Sequence, residues 1–212
     1  MDCHICRKNT NFFIDEKTNI KYYYCQKCEY IFKSSEYYQD FVVQKKRYDL
    51  HKNDENSKSY EAYFQRFLDF IIPLIEDPKD ALDFGCGASL LLSKMFKKYN
   101  IKCEGYDPIY FPDTLSTNKK YNLITSIEVF EHLYQPRVVF ENLIQGLKKE
   151  GYLAIQTEFH PNNIDAFKKW YYHHDPTHIV FFTRKTFKIL CEMTGCKIIS
   201  DNGKNMILLK KY

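Results

Sequence analysis

The run Ala81-Leu82-Asp83-Phe84-Gly85-Cys86-Gly87-Ala88-Ser89-Leu90-Leu91-Leu92 leaves this chain few ways to fold. An apolar strand enters a tight glycine turn, and the turn opens directly into a helix. A second strand over 101–106 then ends on Asp107. Glycines at such a crossing let the backbone approach a ligand closely, and a helix start offers N–H groups to it. An acidic residue about 20 positions further on suits the two hydroxyls of a ribose. Leu90 stands where the third glycine of a G-x-G-x-x-G phosphate turn belongs. The pattern therefore points to a nucleoside-type ligand without a pyrophosphate.

With 212 residues the chain has room for one α/β domain and a small appendage. No apolar run approaches the length that spans a bilayer, and the first residues lack a basic-then-apolar signal pattern. The expectation is a cytoplasmic protein with no membrane partner. Eight cysteines do not make it a disulfide scaffold, because only four form close pairs. A net charge of +4 permits nucleic-acid binding without indicating it. The sequence leaves the oligomeric state open.

Those close pairs are Cys3-x-x-Cys6 and Cys25-x-x-Cys28, with 18 residues between them. Two short loops that each present two thiolates can close a tetrahedron around structural Zn²⁺. Residues 12–14 and 20–24 flank the turn residues 15–19 and read as a hairpin. Such a unit has too little core to hold itself, so metal must supply its folding energy. The expected divisions are a zinc-ribbon-like module over 1–35, a linker and lead-in helix over 36–75, and the main domain over 76–212. Tyr60, Tyr63, Phe64, Phe67, Leu68, Ile71 and Ile72 recur at helical spacing in the lead-in, and Pro73 stops it.

From residue 81 strands and helices alternate as in a doubly wound sheet. Strands are expected over 81–84, 101–106, 121–126 and 152–157, and helices over 89–99, 136–149, 164–171 and 183–193. Any strand within 108–118 is short or irregular. Asn202-Gly203, between 196–200 and 205–210, marks a closing β-hairpin.

From about Arg47 onward the chain resembles class I S-adenosylmethionine (SAM)-dependent methyltransferases. The likeness rests on Leu82-Asp83-Phe84-Gly85-Cys86-Gly87, on Tyr106-Asp107-Pro108, on Tyr121-Asn122-Leu123-Ile124-Thr125-Ser126-Ile127-Glu128-Val129-Phe130-Glu131-His132-Leu133, and on the 147–153 turn. Asn122 departs from the Asp of many relatives. The Glu-Val-x-Glu-His segment resembles the branch of ubiquinone-pathway O-methyltransferases and sugar methyltransferases, some of which carry an N-terminal cysteine-ligated zinc module. Residues 170–182 resemble a bacterial subgroup of predicted methyltransferases. The resemblance implies a Rossmann-like α/β sheet ending in an antiparallel hairpin, preceded by a zinc ribbon. It also implies SAM as cofactor, with Asp83, Phe84, Gly85, Cys86, Gly87, Asp107, Pro108, Ser126, Ile127 and Glu128 around it. Asp113 is a weaker candidate for adenine, and Arg47, Tyr48 or His51 for the SAM carboxylate.

The expected activity is methyl transfer to a small-molecule acceptor, with a hydroxyl slightly favoured. His132 and His178 are then the candidate general bases, because histidine titrates near neutrality. Glu131 either orients His132 or caps a turn. The segment His173-His174-Asp175-Pro176-Thr177-His178 leaves acceptor binding, a second metal site and a plain structural role all open. Phe167, Trp170, Tyr171 and Tyr172 read as packing for a lid, with acceptor stacking as the alternative. An RNA methyltransferase using Arg7, Lys8, Lys17, Lys21, Lys27 and Lys33 of the ribbon is the less favoured reading, since acidic residues dilute that charge. A non-catalytic SAM-binding or zinc-mediated interaction protein is a third.

Overall fold

The computed structural model describes residues 1–40, 43, 45, 57–114 and 119–212. Arg47, Tyr48 and His51 lie outside the described residues. The N-terminal strands are β1 (Asn11–Asp15), β2 (Ile20–Tyr24) and β3 (Ile31–Lys33). Then follow α1 (Lys58–Ile71), β4 (Asp80–Phe84), α2 (Leu91–Phe96), β5 (Lys102–Tyr106) and β6 (Tyr121–Ile127). The rest is α3 (Pro136–Gly146), β7 (Leu147–Gln156), α4 (Ile164–Phe167), β8 (Val180–Phe181), α5 (Arg184–Thr194), β9 (Cys196–Asp201) and β10 (Met206–Lys211).

The main sheet runs β5-β4-β6-β7-β10-β9. Its first four strands are parallel, and β10 pairs antiparallel with both β7 and β9. The apolar stripe of α1 buries Phe64, Phe67, Leu68 and Ile71 in one core with α2, Ala81, Leu123, Ala154 and Leu208. Each such side chain contributes roughly 1.5–3 kcal/mol. The other core joins Leu82, Ile124, Leu153 and Ile155 to Phe140, Leu143 and Ile144 of α3 and Phe187 and Leu190 of α5. The reversal at β4, with β5 on one side and β6 on the other, opens a crevice at the strands' carboxyl ends.

Several elements are shorter than the sequence pattern suggests. Leu91 N–H donates to Ser89 Oγ, so α2 begins at Leu91, and residues 97–99 tighten into a 3-10 turn that Asn100 ends at φ 58°. Helix α3 stops at Gly146 because Leu147 already pairs with Tyr121. Helix α4 is a single turn. Between β5 and β6 only an Asp107–Phe111 bridge and a 3-10 turn at Pro112–Thr114 occur among the described residues. By contrast α5 begins and ends where its caps predict. Thr183 and Thr186 form a reciprocal capping box, and Gly195 closes the helix at φ 70°.

The N-terminal strands join a second sheet, ordered β1-β2-β3-β8, in which β8 comes from the far end of the chain. Its underside packs Tyr22, Ile31 and Phe181 on Phe167 and Tyr172. The segment expected to be a lid therefore sits on the ribbon. Phe167 and Tyr172 are buried there, while Tyr171 is 65% exposed. Lys33 is buried rather than available to a nucleic acid, and its Nζ donates to the Asp175 carbonyl at 3.1 Å.

Candidate active site

The glycine turn is shaped by what surrounds it. Gly85 and Gly87 have φ of 79° and 64°, the left-handed region that favours glycine. A Cβ on Gly85 would lie 2.2 Å from Val129 Cγ2, so the turn is pressed against the loop after β6. Both Gly85 N–H and Cys86 N–H donate to the Tyr106 carbonyl, at 2.7 and 3.0 Å. Phe84 stacks on Tyr106, and Cys86 is buried beside the turn. Gly85→Ala combines overlap with a disfavoured backbone, and each costs on the order of 1–3 kcal/mol. Denaturant titration should show a loss of about 2–4 kcal/mol, which adding Val129→Ala partly restores. A wild-type midpoint for Gly85→Ala would contradict the contact.

Asp107 closes this turn from β5. Its Oδ2 accepts from Gly87 N–H at 3.1 Å, and its Oδ1 accepts from Ile109 N–H at 2.8 Å and Tyr110 N–H at 3.2 Å. Both oxygens are thus fixed in direction while Oδ2 keeps accepting capacity. Pro108 and Asp113 are exposed in the following turn. Asp83 sits behind, buried, and accepts from Thr125 Oγ1 at 3.1 Å. Burial pushes its carboxyl up to about 7, and the Asp107 charge adds to that.

Past β6 the chain turns through Glu128 in a left-handed backbone at φ 53°, unusual for a non-glycine residue. Glu128 Oε1 accepts from Tyr63 OH of α1 at 3.1 Å and from Gln156 Nε2 of β7 at 3.3 Å. The Tyr172 hydroxyl contacts Glu128 Oε2 at 2.8 Å and Glu131 Oε1 at 2.6 Å. A phenol has one hydrogen, so one of these two carboxyls must carry a proton to satisfy both contacts. Glu131 is fully buried, its Oε2 accepting from Thr157 Oγ1 at 2.8 Å. Burial and the mutual repulsion of the two carboxylates push Glu128 up to about 7. Among the described residues, buried Ser126 Oγ and Gln156 Oε1 find no hydrogen-bond partner. Ile127, the register partner of Gln156, is partly buried.

His132 and His178 come together, with ring centroids 4.8 Å apart. His132 Nδ1 lies 2.9 Å from the Thr177 carbonyl and His178 Nδ1 2.7 Å from the Tyr172 carbonyl. Burial holds both imidazoles below the usual histidine range, His178 down to about 3. His173 goes elsewhere: it faces Asp15 of β1 at 3.4 Å, both side chains buried. The residues 173–178 thus do not act as one cluster. Nothing in the sequence singles out Tyr63 or Thr157 for this site, and it offers Tyr172 for lid packing or acceptor stacking rather than for a carboxyl contact. Gln156 had left a signal, a polar residue inside an apolar strand run.

The N-terminal cysteines meet as two matching knuckles. Arg7 N–H donates to the Cys3 carbonyl and Glu29 N–H to the Cys25 carbonyl, with Arg7 and Glu29 both at φ 59°. Cys3 Sγ lies 3.4 Å from Cys28 Sγ, and Cys6 Sγ 3.5 Å from Cys25 Sγ. All four sulfurs fall within 4.8 Å of one another. Zn–S bonds of about 2.3 Å place tetrahedral sulfurs roughly 3.8 Å apart, so the donor set fits the ion.

A family description, methyltransferase domain, matches residues 56–201. No curated protein sequence matches the chain. Among solved structures, similarity extends to the complex between the Haloferax volcanii Trm112 methyltransferase activator and a methyltransferase. There the identity is 12%, the TM-score 0.56, and the coverage 77% of this chain and 96% of that one. SAM-bound CalS10, an amino pentose methyltransferase from Micromonospora echinaspora, gives 11%, 0.51, 82% and 98% in the same order. LaPhzM gives 11%, 0.53, 81% and 61%. At such identities the likeness is one of fold. No helix among the described residues is long and apolar enough to cross a membrane.

Proposed function

Because this chain belongs to the methyltransferase-domain family and has the sheet of a class I SAM-dependent methyltransferase, we propose that it moves the methyl group of SAM to a small-molecule acceptor. The observation that carries the cofactor side is the glycine turn locked onto Asp107, whose Oδ2 is aimed by Gly87 N–H. SAM, when bound, supplies a methyl group already activated on a sulfonium. Asp107 would hold the ribose hydroxyls through its remaining lone pairs. Gly85 and Gly87 keep side chains out of the approach, and Phe84, Cys86 and Pro108 frame it. Asp83 gives the turn a carboxyl suited to a cationic ligand.

The acceptor side begins at Glu128, which is less buried than Glu131, with Ser126, Ile127 and Gln156 near it. Tyr172, buried with its hydroxyl on Glu128, would help keep water from that side, which orientation-dependent transfer needs. The expected preference for a hydroxyl relied on His132 and His178 as bases. Each Nδ1 faces a backbone carbonyl and burial lowers both imidazoles, which weakens them as bases while leaving their Nε2 lone pairs in place. In the ribbon, Cys3, Cys6, Cys25 and Cys28 would hold a structural Zn²⁺.

Isothermal titration with SAM, then transfer of labelled methyl from SAM into fractionated metabolite extracts, tests the proposal. Binding with label in a small-molecule fraction supports it. No SAM binding at about 1 mM, weaker than ordinary for a specific site, would remove it.

Asp83 adds a pH prediction. Its folded value of about 7 lies above the unfolded range, so the folded chain keeps a proton that the unfolded chain has lost. Between about pH 4 and 7 stability falls as pH rises, by up to roughly 4 kcal/mol from this group. Asp83→Asn should remove that slope. In urea titrations of ligand-free protein, the variant's advantage should grow from pH 5 to pH 8. Parallel stability curves would contradict it.

A further inference from the structure

We propose that Glu131, His132 and His178 form a second metal site, which takes a divalent ion of the zinc type and leaves at least one coordination position open. The proposal is independent of the methyl-transfer reading. Its basis is hydrogen-bond arithmetic. A backbone carbonyl only accepts, so the Nδ1 atoms facing Thr177 O and Tyr172 O must carry hydrogens. In the neutral imidazole the Nε2 atoms are then lone-pair donors. The ligand atoms of Glu131, His132 and His178 lie within 4.8 Å of one another, with His132 Nε2 3.8 Å from Glu131 Oε1. Zn–N and Zn–O bonds of about 2.0–2.2 Å separate tetrahedral ligands by roughly 3.3 Å, so closure needs shifts of about 1.5 Å at most.

The support around these three side chains is what metal ligands require. Each imidazole is oriented by a carbonyl. Both Glu131 oxygens are oriented by hydroxyls, from Tyr172 and Thr157. Tyr172 serves twice, its carbonyl fixing His178 and its hydroxyl fixing Glu131. The Glu131 carbonyl accepts from Ile179 N–H at 2.8 Å, which draws His178 alongside His132. Thr177 is fixed in turn by two bonds to Asp175 Oδ1. The titratable groups facing the cluster are Glu128, Asp175 and Lys33; with Glu131 ionised as a ligand, Glu128 holds the proton that satisfies its Tyr172 contact, which leaves the Asp175 carboxylate against one ammonium held on the Asp175 carbonyl. Two imidazoles and one carboxylate suit zinc or iron(II) better than magnesium or calcium. The open position would take water.

Zinc-loaded full-length protein, desalted and counted by mass spectrometry, should hold about two zinc ions per chain. Zinc K-edge absorption should show a sulfur shell near 2.3 Å and a nitrogen/oxygen shell near 2.0–2.1 Å with imidazole scattering. His178→Asn should lower the count to about one, keep the sulfur shell, and leave SAM binding unchanged. A wild-type count of one with sulfur alone overturns the proposal, as does a variant that retains both ions. If His178→Asn fails to fold, the wild-type count and absorption spectrum decide. Loss of SAM binding in the wild type would bear on the methyl-transfer reading and not on this site.

Discussion

Removing zinc from the four N-terminal cysteines is expected to unfold far more than the ribbon. An independent zinc-ribbon module over 1–35 would melt alone on chelation and spare the sheet. The packing argues otherwise. Cys3, Ile5, Cys25, Cys28, Tyr30 and Phe32 belong to the same core as α3, α5 and Leu153, Ile155 and Ile207 of the main sheet. Arg137 of α3 donates to the Ile5 carbonyl, and Thr186 of α5 donates to the Cys28 carbonyl. His160 and Thr183 hold Glu29 in the second knuckle. Strand β3 pairs with β8, next to His178. Structural zinc contributes about 10–16 kcal/mol to small sites, against total domain stabilities of about 5–15 kcal/mol. Calorimetry of the holoprotein should therefore show one cooperative transition. Cys3→Ser/Cys28→Ser, which leaves Glu131, His132 and His178 in place, should lower the midpoint by more than about 20 °C or abolish folding at 37 °C. A ribbon that melts alone above an unchanged sheet transition would refute the coupling.

Asp107→Ala should weaken SAM binding by at least about 100-fold, close to 3 kcal/mol. The carboxylate is the group aimed at the ribose, and it also fixes the turn through Gly87 N–H and the following loop through Ile109 and Tyr110 N–H. Losing the anchor leaves three backbone donors without their acceptor, so stability should fall by about 1–3 kcal/mol, short of unfolding. Asp107→Asn keeps an acceptor oxygen and should sit between the two. Titration calorimetry separates affinity from folding, which circular dichroism monitors. Wild-type affinity in Asp107→Ala would remove Asp107 from the site.

The parts of this molecule legible in the sequence are those set by short-range stereochemistry. Gly85 and Gly87 announced a turn because left-handed backbone favours glycine. Helical spacing over 183–193 with Gly195 just beyond marked α5, because a left-handed glycine stop is local. The paired cysteines announced a four-sulfur cluster because each knuckle is complete within five residues. Element ends were read less well where a neighbour outbid the local pattern, as when Leu147 left α3 to pair with Tyr121. The surroundings of Glu128 were read least well. Tyr63, Gln156 and Tyr172 arrive at Glu128 from α1, β7 and the lid, and none carries a motif.

The sequence by itself therefore determined the strand-turn-helix cradle, the order of alternating elements and the thiolate set, all of which follow from backbone geometry within a few residues. Tertiary structure decided that Phe167 and Tyr172 pack on the ribbon sheet, that Lys33 is buried under Asp175, and that His178 joins Glu131 and His132 while His173 leaves for Asp15. Those pairings span up to 158 residues. Nothing periodic connects such positions. They are selected when two sheets and their cores close together and each buried polar group must find a partner.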